Sequence, residues 1–222
     1  MALSLRGTGT SSLVASMLYY IGRAAVRFFL FVFTRFEVKG AENVPRRGGI
    51  LVSANHLSYM DAPVVGVVLG RSPVFMAKEE LFRSRFFGGF ISMLGAFPVH
   101  RGRVDREAMR RAEQALFRGK ALVMFPEGAR RGQDTYVPEG YVGAALIATR
   151  SDVQVLPIGI TGTEVVKGWS WMLQRPKITV KIGAPFSLQN VNGNRRRAEL
   201  IEQTGQIMDR IAQLLPAGYR TG

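Results

Sequence analysis

The sequence predicts an α/β fold: a mostly parallel central sheet flanked by helices, with an amphipathic membrane-surface helical segment in front of it. Three observations carry this. Short β-branched runs alternate with helix-patterned stretches along most of the chain, several of those runs stop at Asn, Pro or Gly, and the first 35 residues are aromatic and cationic without being acidic. With 222 residues, 47% of them hydrophobic, the chain can fill one sizeable core and is short for two. It divides into a helical segment over 1–35 and one α/β domain over 36–222.

The first element spans 13–34 and is dominated by side chains such as Tyr19, Tyr20, Phe28, Leu30 and Phe31. Its longest charge-free run, 7–22, is 16 residues, short of the roughly 20 apolar residues a spanning helix needs. Arg23 and Arg27 fall on one helical face at i,i+4. The expected geometry is a helix lying in a membrane interface, arginines toward headgroups and aromatics toward acyl chains. No acidic residue precedes Glu37, which suits an anionic lipid surface. The competing reading is a helix packed on the core. A cleaved leader fits poorly, because no small-residue cleavage site follows a charged-then-apolar order.

Strands are expected at 36–39, 50–54, 74–77, 96–99, 122–125, 153–160 and 177–182, with helices between them. The clearest helix covers 104–117: Asp105 can cap it, Ala108, Ala112, Ala115 and Leu116 make its apolar face, Glu107 can pair with Arg111, and Gly119 stops it. A second opens with Pro138 at its first position and ends near Arg150. In the third, 195–215, a stripe of Leu200, Ile201, Thr204, Ile207, Met208, Ile211, Leu214 and Leu215 is core, and Pro216 ends it. Residues 190–197 are polar and read as a surface loop.

Composition removes several chemistries. There is no cysteine, hence no thiol nucleophile, disulfide or cysteine-built zinc site. The two histidines, His56 and His100, are far apart and outside any HExxH pattern, so no metal is expected. There is no GxSxG elbow, no Walker A loop around Gly119-Lys120-Ala121 and no GxGxxG, so esterase, NTPase and dinucleotide readings fade. A net charge of +14 attracts polyanions. No zinc-finger, helix-turn-helix or RNP signature accompanies it, so the expected polyanion is lipid rather than nucleic acid.

The informative stretch begins where the apolar run 50–54 passes into Asn55-His56-Leu57-Ser58-Tyr59-Met60-Asp61. Crevices beyond the carboxyl ends of strands are where α/β sheets bind ligands. A general base needs a partner that fixes its tautomer, and a carboxylate five residues on can provide it. Five helical residues turn about 500°; the pair therefore meets only if His56 precedes a helix and Asp61 sits in its first turn. A second stretch, Phe125-Pro126-Glu127-Gly128-Ala129-Arg130-Arg131, ends another strand in a tight turn. Gly128 there permits close backbone approach, and Arg130 and Arg131 can hold a phosphate. From Arg101 to Arg131 nine Lys or Arg face four Asp or Glu, an excess that suits a phosphate pocket, although Arg106, Arg110 and Arg111 also fit a solvated helix face.

Together, Asn55-His56-x4-Asp61, Phe97-Pro98-Val99-His100-Arg101, Phe125-Pro126-Glu127-Gly128-Ala129-Arg130 and Val155-Leu156-Pro157-Ile158 resemble, in order and spacing, the glycerolipid acyltransferase family of lysophosphatidic acid acyltransferases (PlsC-like). The resemblance covers about 36–185. It implies that His56 deprotonates an acceptor hydroxyl, that Asp61 orients the ring, and that the hydroxyl attacks an acyl thioester. Acyl-CoA or acyl-carrier protein would be the donor substrate, with no cofactor. Arg101 and Arg130 would hold the acceptor phosphate, Glu127 would bond the glycerol or support its loop, Gly128 would allow the approach, Asn55 would line the substrate site, and Pro157 would shape the acyl side. Ala129 and Arg131 depart from the family's threonine and serine, and Val142 from a basic residue. The implied product is phosphatidate, made at the cytoplasmic face of a membrane from a lysophospholipid acceptor. Another lysolipid, glycolipid or aminolipid acceptor is the nearest alternative, and a non-catalytic basic protein bound to membrane or nucleic acid the distant one.

Overall fold

A computed structural model describes residues 8–100, 105–128, 142–188 and 197–219. Among them seven strands form one sheet: β1 (Arg35–Lys39), β2 (Ile50–Ala54), β3 (Pro73–Lys78), β4 (Ala96–Val99), β5 (Ala121–Met124), β6 (Val155–Thr161) and β7 (Lys177–Ile182), in the order β1-β7-β6-β2-β5-β3-β4. The expected mostly parallel sheet is present, with one departure. Strand β7 runs antiparallel to β6, and β1 runs parallel to β7, so these two oppose the other five. A parallel return needs a crossover of a dozen or more residues, usually a helix. Between β6 and β7 the chain offers a 3-10 turn, Thr163–Val165, and the four-residue helix α6 (Trp171–Gln174), and it returns as a hairpin.

Side chains alternate across the sheet with period two and feed two cores. On one face Val52, Val123, Leu156 and Ile158 pack with Leu30 of helix α1 (Thr8–Phe33) and with Val64 and Val65 of α2 (Asp61–Val68). On the other, Leu51, Leu122 and Val155 pack under α4 (Arg106–Phe117), α5 (Gly143–Ser151) and α7 (Arg197–Leu214), through Ala112, Ile147 and Ile207. A further helix, α3 (Arg85–Met93), leads into β4. Every residue of β2 is buried, as befits a central strand covered on both faces.

Helix α4 follows its sequence closely. The Asp105 carboxylate accepts from the Ala108 N–H at 3.0 Å, Glu107 pairs with Arg111, and Ala108, Ala112 and Leu116 are its buried stripe. The expected start of the next helix, Pro138, lies outside the described residues; its end is at Ser151, where Asp152 adopts a left-handed φ of 50°. On α7 the stripe is narrower than expected. Ile201 is half exposed and Gln203 is buried instead, because the helix meets the sheet along 200, 203–204, 207 and 211.

Helix α1 corrects the expected placement of one of its two arginines. Arg23 does not face outward: its Nε donates to the Val67 carbonyl at 3.1 Å, at the C-terminal end of α2 where unsatisfied carbonyls and the helix dipole favour a cation. Tyr19 and Leu30 are buried, and the Tyr19 hydroxyl lies 3.2 Å from the carbonyls of Gly66 and Arg71. One side of α1 is therefore packed on α2, as the core-packing expectation has it, while Tyr20, Ile21, Phe28 and Phe31 stay exposed on the other. No helix among the described residues is long and apolar enough to cross a membrane.

Candidate active site

Strand β2 ends at Ala54, and the next two residues are held from both neighbouring strands. Asn55 is fully buried; its Nδ2 donates to the Ile160 carbonyl at 2.8 Å, and its Oδ1 accepts from the Ile160 N–H at 2.7 Å. It prolongs the β2–β6 pairing past its last rung. Both amide functions of Asn55 are thus committed to backbone, and its part in the site is to fix the chain that leads into His56. On the β5 side, the His56 N–H donates to Glu127 Oε2 at 3.0 Å.

A short turn then carries the chain into α2, with the Asp61 N–H donating to the Ser58 carbonyl at 3.1 Å. Asp61 is the first residue of α2, which is the placement its five-residue spacing from His56 demands. Its Oδ2 accepts from His56 Nδ1 at 2.8 Å, from the Leu57 N–H at 2.6 Å and from the Ser58 N–H at 2.7 Å. Its Oδ1 accepts from the Thr163 hydroxyl at 2.6 Å. An ionised carboxylate with no exposed surface is tolerable only when its lone pairs are met, and four donors plus the N-terminal dipole of α2 meet them.

With Nδ1 donating to that carboxylate, the lone pair of a neutral His56 ring sits on Nε2. The ring stacks on Phe125, centroids 4.2 Å apart and planes 20° from parallel, and 14% of the side chain remains exposed. Phe125 opens the turn that carries Glu127. The Gly128 N–H closes this turn onto the Phe125 carbonyl at 3.0 Å, with a φ of 73° that glycine adopts readily. Glu127 is buried, and its bond to residue 56 is of the loop-supporting kind. The result is an imidazole with a fixed tautomer, partly exposed and rigidly backed by Phe125, the arrangement a general base requires.

Not every expected residue gathers here. Pro157 is buried on the opposite face of the sheet, beside Gly183 and Leu214 of α7, so it is not brought to the His56 side. Arg101 and Arg130 lie outside the described residues. His100, the other imidazole, has Nε2 2.6 Å from Glu79 Oε2 and Nδ1 2.9 Å from Asp105 Oδ2, which leaves no ring nitrogen to act as a base. Two residues at the pair went unread in the sequence. Phe125 is visible as the first residue of a motif but not as the ring that backs His56, and Thr163 could be found only by knowing that β6 lies beside β2, so that Thr163 comes to Asp61.

Three comparisons bear on this geometry. Residues 35–161 match the family model described as Acyltransferase. A 1-acyl-sn-glycerol-3-phosphate acyltransferase of Streptococcus pneumoniae is 35% identical over 53% of this chain and 42% of its own length; one of Bacillus subtilis is 26% identical over 80% and 87%. The chain thus spans under half of the first relative and most of the second. The crystal structure of the 1-acyl-sn-glycerophosphate (LPA) acyltransferase PlsC from Thermotoga maritima matches with a TM-score of 0.67 and 25% identity, over 91% of this chain and 81% of that one. Because the family match takes in more than half of the chain and contains His56, Asp61, Phe125 and Glu127 within its bounds, the protein belongs to the acyltransferase family.

Proposed function

We propose that the protein transfers a fatty acyl group from acyl-CoA or acyl-carrier protein to the sn-2 hydroxyl of 1-acylglycerol 3-phosphate, giving phosphatidate. The observation that carries the reading is the His56–Asp61 pair, joined at 2.8 Å with Nε2 left for an incoming hydroxyl. In this scheme Nε2 takes the proton of the acceptor hydroxyl as its oxygen attacks the thioester carbonyl. Asp61 then faces an imidazolium and stabilises it. Collapse of the tetrahedral intermediate breaks the carbon–sulfur bond, and the departing thiolate regains the proton from His56. No acyl-enzyme is needed, which agrees with the absence of cysteine and of a serine elbow.

The relatives' names support the acceptor, and the resemblance assigns its phosphate to Arg101 and Arg130. The exposed apolar side of α1 supports action at a membrane surface, on its cytoplasmic face, where anionic lipid meets a chain of net charge +14. The test is purified protein in detergent with lysophosphatidate and acyl-CoA, following free CoA thiol, beside a panel of other lysolipid acceptors. Wild-type release that His56→Ala abolishes is expected. No release on lysophosphatidate, or undiminished release by His56→Ala, overturns the reading.

A further inference from the structure

The link between β6 and β7 leaves two large apolar side chains in solvent, Trp169 at 70% and Leu173 at 80% exposure. Nothing in the acyl-transfer scheme uses them. Between them Trp171 turns inward: it is buried, and its ring meets Phe29 of α1 edge-on at 5.7 Å. Arg175 fastens the same seam, its Nη2 donating to the Phe31 carbonyl at 3.3 Å, and its own carbonyl accepts from Arg35 Nε at 3.2 Å. Helix α6 is thus riveted to the end of α1, and Phe28 and Phe31, 68% and 75% exposed, stand out beside it. Two elements joined by a bond between residues 144 apart in the chain thus bring exposed apolar side chains to one seam.

Its setting identifies what covers it. Arg27, Arg35, Lys167 and Arg175 are exposed around these side chains, and none is paired with a carboxylate among the described residues. A second copy of the chain would set these cations against their own kind, on molecules each of net charge +14. An anionic bilayer neutralises them and takes up the Trp and Leu side chains at its headgroup–acyl boundary. Topology supplies the orientation. Since β1 and β7 run against β2 and β6, the start of β1, the start of β7 and the end of β6 all lie at the sheet end from which His56 opens. The link that bears Trp169 and Leu173 leaves β6 through Thr163, which itself holds Asp61.

We propose that α6 and its flanking link, with the outer side of α1, form a single docking face for an anionic lipid bilayer, seating the membrane at the His56 end of the sheet. The proposal rests on the reading of His56 as the base that serves a lipid acceptor, because it explains how such an acceptor reaches it.

The experiment uses the full chain and vesicles of phosphatidylcholine alone or mixed with phosphatidylglycerol. Flotation is read for wild type and for Trp169→Ala/Leu173→Ala. Lipid with brominated acyl chains is used to quench fluorescence in Trp171→Phe, where Trp169 reports, and in Trp169→Phe, where Trp171 reports. Thermal unfolding checks that each variant folds. The double substitution is expected to weaken binding to the anionic vesicles about ten-fold or more, and Trp169 is expected to be quenched while Trp171 is not. Wild-type binding that the double substitution leaves unchanged, with Trp169 unquenched, overturns the docking face. So does a change in oligomer size on sedimentation with vesicle binding intact, which would make the surface an interface between copies. Acyl transfer in detergent needs no bilayer and is measured in parallel: transfer with Trp169 unquenched sinks the docking face alone, and no transfer sinks the functional reading whatever the vesicles report.

Discussion

Replacing Asp61 by Asn removes one unit of charge and almost nothing of shape. The asparagine Oδ1 can stand where Oδ2 stands, accepting from His56 Nδ1 and the N–H groups of Leu57 and Ser58, while its Nδ2 donates to the Thr163 oxygen. The four contacts can persist, at the cost of leaving the Thr163 hydroxyl hydrogen and one Nδ2 hydrogen without an acceptor in the present geometry, so the melting temperature should fall by a modest amount. What disappears is the attraction between the carboxylate and the imidazolium formed as His56 takes a proton. For unit charges about 4 Å apart at an effective dielectric constant of about 20, this attraction is about 4 kcal/mol, or about a thousand-fold in kcat. KM should hardly move, because the attraction removed is the one that develops as His56 takes the proton during the reaction. Initial rates of CoA release against lysophosphatidate, with thermal unfolding alongside, measure both quantities. A fall below ten-fold with the fold intact would refute the electrostatic role of Asp61, and a large fall that accompanies collapse of the melting temperature would reassign it to the fold.

Thr163→Val leaves Asp61 Oδ1 without its donor in full burial, and the loss of a bond to a charged group, about 1.5–3 kcal/mol, should lower both kcat and melting temperature, with Thr163→Ser restoring both. Leu30→Ala is expected to cost about 2–4 kcal/mol in urea unfolding, because Leu30 is fully buried between α1 and the sheet, whereas Phe31→Ser one residue on should stay within about 0.5 kcal/mol. Asp105 has its carboxyl held below the ordinary value of 3.8, first by the Ala108 N–H and then by the His100 N–H and ring. Its ionised form is thus favoured in the folded chain, and its contribution is complete above pH 3.8 and lost as pH falls through the lower folded value. Asp105→Ala should be about 1 kcal/mol less stable than wild type at pH 6, and thermal unfolding at descending pH should show the gap closing below about pH 4.

How far the molecule could be read in advance depended on the range of the forces involved. Short β-branched and apolar runs place all seven strands, most plainly β2, since a strand covered on both faces reads as a near-continuous apolar run. The His56–Asp61 spacing implies its own geometry for the same local reason. What escaped was set by partners distant in the chain. Nothing within 177–182 signals an antiparallel neighbour; that follows from the link before it, whose only α-helix is four residues long and cannot cross the sheet, and from where β6 ends. Arg23 reads as a headgroup contact until α2 is known to end against it, and nothing local to Asn55 shows that Ile160 occupies both of its amide atoms. Pro157 is assigned to the acyl side by the resemblance alone; which face it takes follows from strand alternation, which turns it toward α7. Thr163 belongs with these: an ordinary strand-end residue whose importance exists only in three dimensions.

The pairing of β1 with β7 also imposes an order on biosynthesis. Its register opens with Arg35 against Lys177, 142 residues apart. At about 5–20 residues per second, a ribosome delivers the second strand roughly 7–30 s after the first. Throughout that interval the nascent β1 has its backbone donors and acceptors unmatched, while α1 ahead of it already carries the greasy surface that lipid can receive. On the docking-face proposal, attachment to lipid can therefore precede closure of the sheet, since the pair that ties Arg35 to Lys177 must wait for the later strand.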